Sequence, residues 1–171
     1  MTVLAPFYAG WDIYNDRLRR AVAGLTPDQL QLAIGPGQWA IWQVVAHIAG
    51  ARASWFERIG AADAASLQLF ADVEHEGWED HPDQPRGAEE LVGALDTTWS
   101  MIANALSTWT PDMLDDPFSH RRQGGAVRNF TRQFVLMRLL GHDLSHTGEL
   151  SLAFAAHGLP EIDLWSPGEP G

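Results

Sequence analysis

Four stretches of this chain carry apolar residues at steps of three and four with polar residues between them, the pattern of an amphipathic helix. The second stretch is followed by Gly60 and the fourth by Gly158, just past a helix end, where glycine is favoured. No convincing alternation of polar and apolar residues is found elsewhere. The pattern therefore predicts an all-α protein, one antiparallel four-helix bundle over residues 1–171, with helices at about 7–24, 39–60, 88–109 and 130–157.

The predicted helices are joined by connections of different lengths. Thr26 and Pro27 suit the cap and the first position of a short helical turn, which leads into the break Gly35–Gly37. The connection between the second and third helices, residues 61–86, has a weakly apolar patch around residues 67–70, then acidic residues and two prolines. We expect a long connection there, with one short helix in it.

Composition and charge exclude several classes of function. The chain has 171 residues, enough for one buried core, and no apolar stretch approaches the ~20 residues of a membrane helix. Its formal charge of −11, with no lysine, would repel a phosphate backbone, so neither nucleic acid nor a membrane is an expected partner. The N-terminal sequence lacks the features of a secretory signal, so we expect a cytoplasmic protein. The absence of cysteine excludes a disulfide, a catalytic thiol and a thiolate metal site.

Two histidines in the fourth predicted helix are candidates for a metal site. His142 and His146 are four residues apart, which places their Cβ atoms about 5–6 Å apart on one face of a helix. Leu139 and Leu150 continue the same stripe, so both imidazoles are expected to point inwards and to need partners. A metal ion is one such partner. A backbone carbonyl or Glu149 is the alternative.

A third histidine, His47, lies on an otherwise apolar face of the second helix. Three interior histidines from two helices favour one shared explanation, a divalent metal ion. Three neutral imidazoles leave a fourth coordination position open, as in catalytic sites, and nitrogen ligands suit zinc, nickel, iron or copper, with zinc and nickel leading. The other four histidines are expected on the surface, in polar loops or at a helix end: His75, His81, His120 and His157.

Three longer motifs stand out along the chain. They are LTPDQL at residues 25–30, QWAIWQVVAHI at 38–48 and GHDLSHTGEL at 141–150, followed by GLP at 158–160. Together they resemble the DinB-like superfamily, to which YfiT-type metal-dependent hydrolases and bacterial low-molecular-weight thiol transferases are similar. The resemblance covers nearly the whole chain and implies a four-helix bundle whose metal histidines are His47, His142 and His146.

The sequence departs from the family pattern at two positions. Ala40 stands where the family often has the Ser or Thr that caps a helix, but it is not a ligand position. Glu149 stands where Gln is common, and its negative charge could tune what the metal binds.

Two enzymatic functions are compatible with such a site, each with a small-molecule substrate. In the first, the metal binds the sulfur of an external low-molecular-weight thiol and presents the thiolate to an electrophile. In the second, the metal activates water for hydrolysis, and Glu149 or Asp143 assists as a base. The sequence also leaves open a metal- or ligand-binding bundle without turnover, an interaction protein with an incidental histidine cluster, and assembly as a homodimer.

Three of the eight tryptophans are candidates for a pocket above the metal. Trp39, Trp42 and Trp78 lie at helix starts or in loops, where an aromatic ring can contact a ligand. A core position is the commoner role of such residues.

Overall fold

The computed structural model of the protein describes residues 2–61, 77–121 and 127–166. Three of the predicted helices begin and end within two residues of the expected positions, and the first begins four residues late because Ala5–Tyr8 forms a separate 3-10 turn. The helices are α1 (Trp11–Ala23), the short α2 (Pro27–Leu30), α3 (Ile41–Arg58), α4 (Ala88–Thr108) and α5 (Arg132–Ala156).

Helix α3 lies at the centre of the bundle, against α4 and α5, and α1 packs on α4. This position explains the sequence of α3, which is apolar on most of its circumference, with Val44, Val45 and Ile48 fully buried. Each such side chain stabilises the fold by about 1.5–3 kcal/mol relative to an exposed one. The predicted four-helix bundle is confirmed.

The protein also contains one element that the all-α prediction missed, a two-stranded antiparallel hairpin. Strand β1 (Pro117–Arg121) pairs with β2 (Val127–Thr131), with Phe118 opposite Phe130. β2 changes from exposed to half-buried along its length, so its sequence carries no alternation that would reveal a strand. Thr131 ends the hairpin and caps α5, since its hydroxyl accepts the Phe134 N–H.

Local signals explain where the other elements begin. The Thr26 hydroxyl accepts the Gln29 N–H while the Gln29 side chain accepts the Thr26 N–H, so the predicted cap of α2 is present as a capping box.

In the connection between α3 and α4, the patch at 67–70 lies outside the described residues, and Trp78–Asp80 forms a 3-10 turn that packs on α3. Among the described helices, none is both long and apolar enough to span a bilayer.

Candidate metal centre

Helices α3 and α5 bring His47, His142 and His146 together at their interface. One ring nitrogen from each lies within 4.8 Å of the others, and Nε2 of His142 is 3.0 Å from Nε2 of His47. The i, i+4 spacing places the two α5 imidazoles side by side, with ring centroids 4.4 Å apart, and the antiparallel α3 supplies the third. All three side chains are half-buried.

Burial keeps the central imidazole of this cluster neutral. The pKa of His142 is lowered to about 3, first by desolvation and then by the neighbouring His146 and His47 and the guanidiniums of Arg138 and Arg52. His142 therefore needs no deprotonation to act as a nitrogen ligand near neutral pH.

Carboxylates fix the orientation of the other two imidazoles. Nδ1 of His47 donates to Oε1 of Glu79 over 2.7 Å, and Nδ1 of His146 donates to Oε2 of Glu149 over the same distance. Because an ionised carboxylate can only accept, Nδ1 of each ring is assigned as the donor. Nε2 of His47 is then the acceptor for Nε2–H of His142, 3.0 Å away. Nδ1 of His142 is buried, with no hydrogen-bond partner among the described residues.

Glu79 was missed by the sequence analysis. It lies in the turn Trp78–Asp80 and not on a helix, so no periodic pattern directs it to the site. The residue is only 8% exposed, and its burial and its bond to His47 become visible only in the folded structure.

The two acidic residues proposed from sequence occupy different surroundings. The Asp143 carboxylate is buried and accepts hydrogen bonds from Arg52 and from the indole Nε1 of Trp11. Glu149 has a half-exposed side chain, and its Oε1 makes no hydrogen bond in the described part of the chain.

Of the three tryptophans proposed from sequence, Trp39 lies beside the histidines. Its ring centroid lies 5.1 Å from that of His47, and the residue is 38% exposed. Trp42 is 1% exposed and packs in the main core. Trp78 is half-buried and carries the guanidinium of Arg86 over its ring, 4.4 Å from the centroid.

The donor set of this cluster fits a divalent transition metal. Three imidazoles, two of them with a carboxylate on Nδ1, are the ligands and the outer partners that divalent transition metals take in proteins. Ring nitrogens that all lie within 4.8 Å of one another could hold one such ion. Three protein ligands would leave one coordination position open.

Fold and site together define a helical bundle with a three-histidine cluster between two antiparallel helices. Residues 11–150 match the DinB superfamily, and the chain belongs to that superfamily. The matched range includes all three histidines.

Two curated relatives carry the name "putative metal-dependent hydrolase". The one from Oceanobacillus iheyensis is 23% identical over 84% of this chain and 81% of its own length. The one from Bacillus mycoides is 26% identical over 66% of this chain and 65% of its own length.

Two solved structures share the fold. A DinB-like protein from Bacillus cereus ATCC 10987 superposes with a TM-score of 0.70 at 21% identity, over 95% of this chain and 98% of that one. A conserved protein from Enterococcus faecalis superposes with a TM-score of 0.69 at 14% identity, over 92% of this chain and 99% of that one.

Proposed function

We propose that the protein is a metal-dependent enzyme that transfers a low-molecular-weight thiol to an electrophilic small molecule. Its divalent ion, zinc or nickel, is held by Nε2 of His47, His142 and His146. The observation that carries the proposal is the convergence of three imidazole nitrogens in a chain without cysteine. Any thiol at this site must come from outside the protein.

The roles of the residues follow from their surroundings. A divalent ion at the three nitrogens lowers the pKa of a thiol that binds it. Glu149 accepts the thiol proton, because its side chain is half-exposed and its Oε1 is open. The sulfur then bonds to the carbon of the electrophile, whose leaving group departs with the bonding electrons. Asp143 is a poorer proton acceptor, since Arg52 and Trp11 already occupy its oxygens.

Hydrolysis is the second candidate function, and the names of the two curated relatives favour it. The same three histidines and Glu149 would serve, with water in place of the thiol as nucleophile. A metal-bound thiol gives a sulfur-to-metal charge-transfer band and metal-bound water does not, so the two functions can be separated by experiment.

The test uses the cobalt-substituted protein and a panel of small cellular thiols. Thiol transfer predicts a sulfur-to-cobalt charge-transfer band on addition of one thiol, together with conjugation of an electrophile. H146A should lose both, whereas H157A should keep both, because His157 is exposed and bonds the carbonyl of Ala33. If no thiol changes the spectrum at millimolar concentration, thiol transfer is wrong. A spectral titration near neutral pH without thiol would then support hydrolysis.

A further inference from the structure

We propose that Glu79 is a positioning residue that fixes the tautomer and the direction of His47, and that Gly77 provides the space its carboxylate occupies. The proposal rests on the metal site of the proposed function and not on its thiol chemistry. It concerns the turn before α4, which contributes no ligand to the histidine cluster.

The Glu79 carboxylate has one side-chain partner among the described residues. Oε1 accepts the Nδ1–H of His47 at 2.7 Å, and Oε2 is buried without a hydrogen bond. A buried carboxylate is costly unless it is paired, so the bond to His47 holds this side chain in place. The same bond directs the Nε2 lone pair of His47 towards His142.

The backbone of Glu79 is held by Gln43, from the first turn of α3. Nε2 of Gln43 donates to the Glu79 carbonyl over 2.7 Å, while Oε1 of Gln43 accepts the N–H of Ala40 over 2.9 Å. Gln43 therefore joins the start of α3 to the turn. Its bond to the Ala40 N–H is one half of a capping box, and the Ala40 side chain cannot form the other half.

Gly77 is needed for space and not for backbone freedom. Its φ of −81° and ψ of 171° are open to any residue. A Cβ atom at this position, however, would overlap Oε2 of Glu79 and lie 2.7 Å from Oε1. The carboxylate is the end of a flexible side chain, so it would move away from His47 while the turn itself stayed folded.

Loss of this carboxylate should weaken metal binding. A carboxylate that accepts from Nδ1–H raises the basicity of Nε2 and fixes the ring, and loss of such a partner typically costs about 10- to 100-fold in metal affinity. Glu149 makes the same bond to His146, but its side chain is 47% exposed against 9% for Glu79. Water can replace the exposed partner, so E149A should lower affinity less than E79A.

The first experiment measures zinc affinity by chelator competition for the full chain and for G77A, E79A and the double variant. Each single change should lower affinity about 10- to 100-fold, and the double variant should be no weaker than the weaker-binding single variant, because both remove one interaction. E79Q should lie between, since its amide oxygen still accepts from Nδ1–H. Parent-like affinity in G77A, or additive losses, would overturn the proposal.

Gly87 gives a matched control. It precedes α4 with φ −79° and ψ 164°, and a Cβ there would meet its nearest neighbour, Oε2 of Glu90, at an ordinary 3.8 Å. G87A should therefore bind zinc as the parent does.

The second experiment needs no metal. Nitrogen-15 spectra of the imidazoles, with His47 assigned through H47A, should show its proton on Nδ1 in the parent and in G87A, and a mixture of tautomers in E79A and G77A. A parent His47 protonated on Nε2 would refute the role of Glu79. The expected tautomer in a protein that binds no metal would instead refute the proposed function and leave this inference standing.

Discussion

Arg52 and Asp143 form an ion pair inside the bundle, at 1% and 4% exposure, with Nη2 of Arg52 2.8 Å from Oδ2 of Asp143. Nη1 of Arg52 also donates to Oδ1 of Asn15, and Nε1 of Trp11 donates to Oδ2 of Asp143. The pair therefore joins α1, α3 and α5 through polar contacts. Since Asp143 is next to His142, it also fixes the position of α5 where the histidines meet.

Removal of the Arg52 charge should destabilise the fold strongly. R52M leaves Asp143 buried and without its cation, which is expected to lower the free energy of unfolding by about 3–5 kcal/mol in urea titrations. R19M is the control, because the Arg19–Asp96 pair is 40% and 47% exposed and such pairs contribute at most about 1 kcal/mol. The double variant R52M/D143L should recover part of the loss, because no charge is then left unpaired but Trp11 Nε1 and Asn15 Oδ1 lose their partners. Equal effects of R52M and R19M would contradict this account.

Protein purified without nickel resin should contain about one transition metal ion per chain by elemental analysis. H47A, H142A and H146A should each lose most of it, since two imidazoles hold an ion far less tightly than three. H157A should retain it, because that side chain bonds the Ala33 carbonyl and lies apart from the cluster. A parent protein that contains no metal and ignores added zinc and nickel would rule out the site.

Metal-free protein should lose stability in acid through His142. Its pKa is lowered from 6.5 to about 3 by burial and by its histidine neighbours, so between these values the unfolded chain binds a proton that the native state does not. The free energy of unfolding that His142 contributes is fully present above its unfolded pKa of about 6.5. It is lost as the pH falls towards 3, by up to ~1.4 kcal/mol per pH unit. H142Q should show a shallower loss between about pH 7 and about pH 4.5 in urea unfolding. Parallel pH curves for parent and variant would refute this assignment.

Trp39 should report occupancy of the site. Its indole lies beside His47, so a paramagnetic ion such as Co²⁺ bound there is expected to quench its fluorescence. W39F should abolish the largest share of the cobalt-induced quenching. W165F should keep that share, because Trp165 is 92% exposed in the C-terminal segment, whereas the ring of Trp39 packs on His47. Identical quenching in parent and W39F would place the ion elsewhere.

The helices and the histidine cluster were predictable because both depend on helical periodicity. His142 and His146 share a face through their spacing, and His47 stands out as a polar residue on an apolar face. The features that sequence reasoning missed depend on contacts between distant residues. Glu79 reaches His47 from a turn, and Arg52, one of two arginines in α3, has its partner 91 positions away.

The hairpin was missed for a different reason. Phe118 and Phe130 pair across the strands, and Phe130 and Phe134 stack while both meet Trp55 edge-on. This aromatic cluster lies at the edge of the bundle, so its residues are spaced by cross-strand pairing and not by burial on one face.

The residue that orients His47 comes from a connection, whereas the residues that would bind the ion come from helices. Glu79 lies 32 positions from His47 along the chain and belongs to no layer of the bundle. The orientation of one ligand is therefore encoded in a different stretch of sequence from the core packing. Exchange of the short turn around Gly77 would be a way to retune such a bundle for a different ion, with the helices left as they are.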